Sequence, residues 1–453
     1  MKRAPFLALP LLAACGAEPV PPPTNVLLVV VDTLRADHTS AYGYERETTP
    51  FLEELVARDD VFVFANAKSP APWTKPSVTS VMTGLLPSGH QADKHTEPMH
   101  GDFFTLGEAF AALDFDTAGV QSNKLVADFQ GYDQGFARWN QDHLSRHDES
   151  VGVGINAVTR SYLEELGDAP FFLYVHHYEP HFQYMESGER WYSGYNGPLT
   201  GNESMDQLVG ATNVLREEER LFLESRYDAD ILYQDVLLRE LFADLERTGH
   251  ADDTLVVITS DHGEEFLEHG DVSHQYKLYE ELLHVPLIVV DPRGADSPLA
   301  AFEADELARP VSTIDVGATL FDLLDKPTTF PGYSLLDPDR FDPDAVVAEV
   351  LVLGFDPEED FPWRDSITAD GFKLIRTTVP GAEPTFELYD LGSDPGEQRD
   401  LADARPERVS ELARRLDAKL ADRARFVPPG ERYVGELELS AEQRQALEHL
   451  GYL

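Results

Sequence analysis

The sequence predicts an α/β fold, a parallel sheet flanked by helices with a small α+β subdomain behind it. Three observations carry that prediction. Continuous apolar runs of strand-forming residues recur along the chain, as in strands buried on both faces of a parallel sheet. Helical patterns separate the runs. Three of the runs stop at Asp32, at His176-His177 and at Asp261-His262, and ligands in open α/β sheets bind beyond the carboxyl ends of the strands.

The elements follow in order. The run from Asn25 to Val31 is the first strand, with Asp32 at its end. Thr49-Pro50-Phe51-Leu52 opens a helix. A second helix is expected from Thr74, with Thr74 as N-cap, Pro76 in the first turn and Gly84 closing it. Pro170 to Val175 is the next strand and leads into His176-His177. Leu221 to Leu245 reads as a long amphipathic helix, with Leu237, Leu238, Leu241, Phe242 and Leu245 at helical spacing. Asp235, within it, reads as structural. Thr254 to Ser260 is the third strand and Val285 to Val290 the fourth.

Composition changes near residue 340, where Pro338 to Asp344 reads as a linker. Beyond it, Val346 to Val352 and Gly371 to Thr378 read as strands. Leu388-Tyr389-Asp390-Leu391 leads into a turn, and a helix runs from Pro406 to about Leu420. Ser440 and Gln443 fit a capping box for a last helix. The organisation expected is a catalytic domain over 25–340, a subdomain over 341–430 and a helical tail over 431–453.

The N-terminus reads as a targeting segment. Lys2 and Arg3 precede a mostly apolar stretch, and Leu12-Ala13-Ala14-Cys15 resembles a bacterial lipobox. Residues 1–14 would be removed, and Cys15, the chain's only cysteine, would carry a lipid. Residues 15–24 include Pro19-Val20-Pro21-Pro22-Pro23, a stiff tether. The expected location is the bacterial cell envelope, on its periplasmic or outer face. A plain signal peptide is the alternative. The net charge is −46, from 36 basic and 82 acidic residues spread along the chain. This excludes nucleic-acid binding through phosphate contacts and docking on anionic lipid through a basic patch.

Asp32, Thr74, Asp261 and His262 together offer two carboxylates, an imidazole and a hydroxyl. Mixed oxygen and nitrogen ligands suit zinc or manganese, and added waters would admit calcium. Thr74, at a helix N-terminus, sits where an anion is favoured. Its hydroxyl is a poor nucleophile alone, and a bound cation would hold it as the alkoxide. His269 and His274 are candidates to protonate a leaving group, with His274 preferred. Lys75 and Lys277 are candidate contacts for an anionic substrate. Any one of these residues also has a bland reading as a cap, a packed imidazole or a solvated lysine.

Several blocks resemble the sulfatase family, hydrolases of the alkaline phosphatase superfamily. Val31-Asp32-Thr33-Leu34-Arg35-Ala36-Asp37-His38 resembles its opening motif, and Asp261-His262-Gly263-Glu264 its second metal motif. Leu278 to Ile288 resembles the block that follows, and Leu388 to Leu391 with Asp394-Pro395-Gly396-Glu397 the C-terminal signature. Thr74 to Gly84 resembles the signature C/S-x-P-S-R-x4-T-G, with Thr74 at the nucleophile position and Val78 at the arginine position. The resemblance implies a large mixed sheet between helices and a small C-terminal sheet. It implies ester oxygens contacted by histidines of the block His176-His177-Tyr178-Glu179-Pro180-His181, with His176 and His181 the better candidates. The chain departs from the family in four places, the first being Val78, which removes the arginine that supports formylglycine. Thr33 replaces a second aspartate that supplies a calcium ligand. The family's lysine–histidine motif is not evident, the nearest stretch being Gln121-Ser122-Asn123-Lys124. Thr74 cannot become formylglycine, because its β-carbon already bears a methyl group.

The expectation is therefore a hydrolase of phosphate or sulfate esters, using one divalent metal (zinc, manganese or calcium) and no formylglycine. Its substrate would be a sulfated or phosphorylated small molecule, glycan or lipid. The alternatives are a sulfuric ester hydrolase independent of formylglycine, a transferase like the phosphoethanolamine transferases, which use a threonine nucleophile, and an inactive surface protein that binds glycans.

Overall fold

A computed structural model describes residues 20–428, apart from 95–97, 143–149, 168, 186–187, 202, 204–206, 210–211, 213, 275, 338, 341 and 352–361. Cys15 and the expected helix at Ser440 lie outside the described residues. The main sheet has seven strands: β1 (Asn25–Val31), β2 (Val61–Val63), β3 (Asp116–Gln121), β4 (Arg138–Asn140), β5 (Phe171–His177), β6 (Thr254–Ser260) and β7 (Leu287–Val290). Their order is β2-β7-β6-β1-β5-β3-β4. All run parallel except β7, which is antiparallel to both β6 and β2. The sheet is thus mixed and mostly parallel.

β1 lies at the centre and every one of its residues is buried. Its two faces feed two different cores. Leu27, Val29 and Val31 pack with the long helix α4 described below, and Val26, Leu28 and Val30 pack on the opposite side. This is why the run shows no polar alternation. Each fully buried Val or Leu side chain contributes about 1.5–3 kcal/mol. In register, Val31 lies between Ser260 of β6 and His177 of β5, so the three strands end at the same level.

Five helices matter here: α1 (Pro50–Val56), α2 (Thr74–Thr83), α3 (Ser150–Glu165), α4 (Glu217–Arg247) and α5 (Pro406–Arg423). α4 exceeds the expected Leu221–Leu245 at both ends, because helical, largely charged residues extend the apolar stripe. Asp235 on α4 accepts from the Phe51 and Leu52 amides at 2.7 and 3.0 Å, so it caps α1. α2 corrects the expectation for Thr74. The cap residue is Trp73, in extended conformation (φ −158°, ψ 160°), and Thr74 is the first helical residue. The Thr74 hydroxyl is thereby turned out of its own helix and into the strand ends. Gly84 closes α2 at φ +67°, and a β-carbon there would lie 2.1 Å from the Pro331 carbonyl oxygen.

The C-terminal unit is an antiparallel sheet of β8 (Ala345–Leu351), β9 (Trp363–Ala369), β10 (Phe372–Thr378) and β11 (Thr385–Asp390), in that order, covered by α5. β9 was not expected from the sequence. Its polar residues are paired instead of solvated: Asp365 binds Arg376 of β10 through two contacts of 2.8 Å. Buried ion pairs fasten this unit to the main one. The Lys373 ammonium lies 3.2 Å from Glu280 and 3.1 Å from Glu397, and Lys68 also pairs with Glu280.

Candidate metal and nucleophile site

Four segments converge beyond the carboxyl ends of β1, β5 and β6 and at the start of α2. Asp32, Asp261 and His262 each present one ligand atom, and these atoms lie within 4.8 Å of one another. His262 Nε2 lies 3.7 Å from Asp32 Oδ1 and 3.5 Å from Asp261 Oδ2. Thr74 Oγ1 lies 3.2 Å from His262 Nε2. All four side chains are buried.

The loops that carry them are tightly held. The Thr33 and His262 amides donate to Asp261 Oδ1 at 3.2 and 2.9 Å. Tyr227 of α4 donates to the Thr33 carbonyl at 2.6 Å. Ser77, in the first turn of α2, donates to the Asp261 carbonyl at 2.6 Å. Arg35 pairs with Asp37 and Glu268 and donates to the Glu264 carbonyl at 2.8 Å, tying the loop after β1 to the loop after β6. Thr33 itself stands at φ +57°, a conformation that favours glycine and costs a β-branched residue about 1–3 kcal/mol. Gly263 lets the chain pass close: a β-carbon there would meet the Glu281 carbonyl oxygen at 2.0 Å.

The electrostatics call for a cation. Asp32 Oδ1 and Asp261 Oδ2 are buried without a hydrogen-bond donor. An unpaired buried carboxylate is strongly disfavoured. Burial and then the charge of Asp32 push the Asp261 carboxyl well above the usual carboxylate range. Burial also works to raise Asp32, but His181, His176 and His262 outweigh it and hold Asp32 well below that range. Burial and then the neighbouring His274 push the His262 imidazole well below its usual range. Its Nδ1–H donates to the Gly263 carbonyl at 2.8 Å, which leaves the Nε2 lone pair facing the carboxylates. Two carboxylate oxygens, one imidazole nitrogen and one hydroxyl, all converging, fit a divalent cation.

The family model described as "Sulfatase" matches residues 24–326. The chain belongs to the sulfatase family. Arylsulfatase K of Xenopus laevis is 28% identical over 208 residues, 44% of this chain and 37% of that protein. The chain thus spans well under half the length of that relative. The uncharacterized sulfatase YidJ of Escherichia coli strain K12 is 29% identical over 440 residues, 84% of this chain and 83% of that protein. Among solved structures, the phosphonate monoester hydrolase of Agrobacterium radiobacter shares the fold. Its TM-score is 0.71 at 19% identity, covering 88% of this chain and 96% of that one.

Of the histidines in this sulfatase-family site, His176, His181 and His274 lie beside the candidate metal ligands. His176 Nε2 is 3.5 Å from Asp32 Oδ2, and its Nδ1 shares a 2.8 Å hydrogen bond with Tyr174. The His274 ring centroid is 4.3 Å from that of His262 and 5.1 Å from that of His181. His274 Nδ1 is 2.9 Å from buried Glu264, which also accepts from Tyr184 at 3.2 Å. His181 Nδ1 donates to the Phe182 carbonyl at 2.5 Å, and burial lowers the His181 pKa.

The other basic side chains are engaged elsewhere. His177 points to the opposite face of β5, because successive strand residues alternate. It binds Asn156 at 3.0 Å and Gln234 at 2.6 Å, and burial pushes its pKa down to about 3. His269 stacks on Tyr279 at 3.5 Å and donates toward Glu281 and the Glu397 carbonyl. The Lys75 ammonium is buried and donates to Gln130 and to the Lys94 carbonyl, both at 2.8 Å. Lys277 donates to both oxygens of Glu265 at 2.9 Å and to the His269 carbonyl at 3.1 Å.

One residue in the site escaped the sequence reading. Asn123 Nδ2 donates to Asp32 Oδ2 at 2.6 Å and lies 3.5 Å from Thr74 Oγ1, while its Oδ1 accepts from the Leu125 amide at 2.9 Å. It stands just past the end of β3, the same topological position as Asp32 and Asp261.

Proposed function

We propose that the chain is a metal-dependent ester hydrolase in which Thr74 Oγ1 is the nucleophile. The observation that carries this reading is the position of that oxygen, 3.2 Å from His262 Nε2 and beside the unpaired oxygens of Asp32 and Asp261. Asp32, Asp261, His262 and Thr74 would hold one divalent cation, which supplies charge to activate the hydroxyl and to polarise the ester. Asn123 orients Asp32 and steadies Thr74. Thr74 gives its hydroxyl proton to solvent before attack; in the first step its oxygen then forms a bond to phosphorus, the bond to the leaving alkoxide breaks, and His274 gives that alkoxide a proton. His176 and His181 face the equatorial oxygens. In the second step His274 takes a proton from water, the water oxygen bonds to phosphorus as the bond from the Thr74 oxygen to phosphorus breaks, and the Thr74 oxygen regains from solvent the proton it gave up.

Phosphorus is preferred over sulfur on chemical grounds. A formylglycine hydrate can release sulfate by breaking its own C–O bond through its second hydroxyl. Threonine has no second hydroxyl, so a threonine sulfate must await attack of water at sulfur. Sulfate esters remain the second reading, favoured by the family and by arylsulfatase K. The lipobox supports an envelope location with a lipid on Cys15.

A panel of aryl phosphodiesters, phosphomonoesters and sulfates, offered to the metal-loaded chain, tests the reading. Turnover is expected, with phosphodiesters ahead of sulfates. Turnover of sulfates alone would replace phosphorus by sulfur, and no turnover of any ester would overturn the hydrolase reading.

A further inference from the structure

We infer that the chain, held by a lipid on Cys15, turns its site away from the membrane that anchors it, so that its substrates are esters dissolved in the surrounding water and not lipids of that membrane. The inference rests on the hydrolase reading and the lipobox of the proposed function, and it removes the lipid class from the substrates expected. It follows from where the chain enters the sheet.

The entry point is fixed by hydrogen bonds. The Thr24 amide donates to the Asp253 carbonyl at 3.0 Å. The Thr24 hydroxyl and the Asn25 side-chain amide each donate to the Asp253 carboxylate at 2.9 Å. Asn25 Oδ1 accepts from the Phe171 amide at 3.2 Å. Thr24 therefore sits at the amino ends of β1, β5 and β6, where Asn25 pairs with Thr254 and Val26 with Phe172. Asp32, Asp261 and His262 lie at the opposite, carboxyl ends. The seven residues of β1 separate the two ends by about 23 Å. β1 is also the fourth of seven strands, with an apolar core on each face of the sheet.

The tether is too short to reverse this orientation. Pro23 is buried, so the span outside the fold ends at Pro22, seven positions after Cys15. Fully extended backbone covers at most about 3.6 Å per residue, which limits that span to about 25 Å. To bring the mouth of the site to the bilayer, the tether must pass outward over a helix layer about 10 Å thick. It must then run back along the ~23 Å of strand. That path exceeds the reach before the loops beyond the strand ends are counted. Lying on its side, the domain keeps Asp32 about 14 Å from either edge of the sheet, three strands away at ~4.8 Å each. The charge of −46 opposes such contact with an anionic surface.

The test uses the full, lipidated, metal-loaded chain in phosphatidylcholine vesicles. A p-nitrophenyl phosphodiester in solution is compared with a phospholipid whose phosphate carries the same p-nitrophenyl group. The soluble ester should turn over equally in vesicles and in detergent micelles. The lipid ester should turn over in mixed micelles and lose ~100-fold or more in vesicles, because the tether cannot span the distance. Insertion of about 60 Gly/Ser residues after Ala17, ~40 Å in r.m.s. length, should restore the lipid ester in vesicles. Wild type that cleaves the lipid ester as fast in vesicles as in micelles would overturn the inference, and so would a chain that stays off the vesicles.

A second readout needs no turnover. Cys15 is the only cysteine and carries the lipid, so a dye can be placed on one introduced thiol. Asp252 is exposed at the amino ends of the strands. Met185 is exposed beside Tyr184, which binds Glu264 at 3.2 Å. Energy transfer to an acceptor lipid should be stronger from Asp252→Cys than from Met185→Cys, and the reverse order would overturn the inference. An inert chain with the expected order would sink the hydrolase reading and leave the orientation standing.

Discussion

Thr74 Oγ1 and His262 Nε2 stand 3.2 Å apart although 188 positions separate them in the sequence. Two local features bring them together. The extended Trp73 starts α2 one residue early, so the Thr74 hydroxyl leaves its helix. Gly263 allows the chain after β6 to pass against Glu281, so the His262 ring turns back over the strand ends. The site is an assembly of strand ends and one helix start, each held by backbone hydrogen bonds that do not depend on a ligand.

His274 is expected to matter in proportion to how poor the leaving group is. Its Nδ1 is anchored on Glu264, and its ring lies beside that of His262. In His274→Ala, esters with an alkyl leaving group should lose ~10²-fold or more in kcat, because they need a proton. Esters of p-nitrophenol, which leave without one, should lose less than ~10-fold. Equal losses across leaving groups would assign His274 a positioning role only.

Glu349 is expected to make the fold less stable at neutral pH than in mild acid. It is buried on β8, accepts from the Ser88 amide at 2.9 Å, and burial pushes its pKa up to about 7. A carboxyl whose folded pKa lies above its unfolded value holds its proton more tightly in the native state. Its contribution is therefore present below the unfolded value and is lost as pH rises through the folded one. Glu349→Gln keeps the acceptor and removes the charge. Urea denaturation at pH 8 should find the variant more stable by up to about 3 kcal/mol, with little difference at pH 4.5. A variant equally or less stable at pH 8 would contradict this.

The strand ends were legible in the sequence because their strands are apolar on both faces. Asp32, His176 and Asp261-His262 each follow such a run, and the structure brings them to one level. Asn123 follows a strand that conceals itself: Asp116–Gln121 includes Thr117 and Gly119, and only Ala118 and Val120 give it apolar side chains for a core. The run in Trp363–Ala369 is hidden for a related reason, since its Asp365 is neutralised by Arg376 on the next strand. Spacing also does not say what holds an ammonium. Lys75 and Lys277 lie near the chemistry in sequence, yet their charges are held by Gln130 and by Glu265. The choice between His176 and His177 depends on which face of β5 carries the site, and that is a property of the whole sheet.

The charge of −46 sets a salt dependence for the whole fold. Like charges spread over the surface repel in the compact state, and the screening length falls from about 10 Å at 0.1 M salt to about 3 Å at 1 M. The thermal midpoint should rise as sodium chloride is raised from low to molar concentration. A midpoint that falls would mean that surface ion pairs such as Arg239–Glu54 outweigh the repulsion.

The role of Thr74 is the centre of the account, and its most direct test is the rate of phosphodiester hydrolysis by Thr74→Ala beside wild type, each with its metal content and thermal midpoint recorded. The account predicts a loss of ~10³-fold or more in kcat, with the thermal midpoint kept and partial activity in Thr74→Ser. A Thr74→Ala chain that hydrolyses the ester as fast as wild type would contradict it.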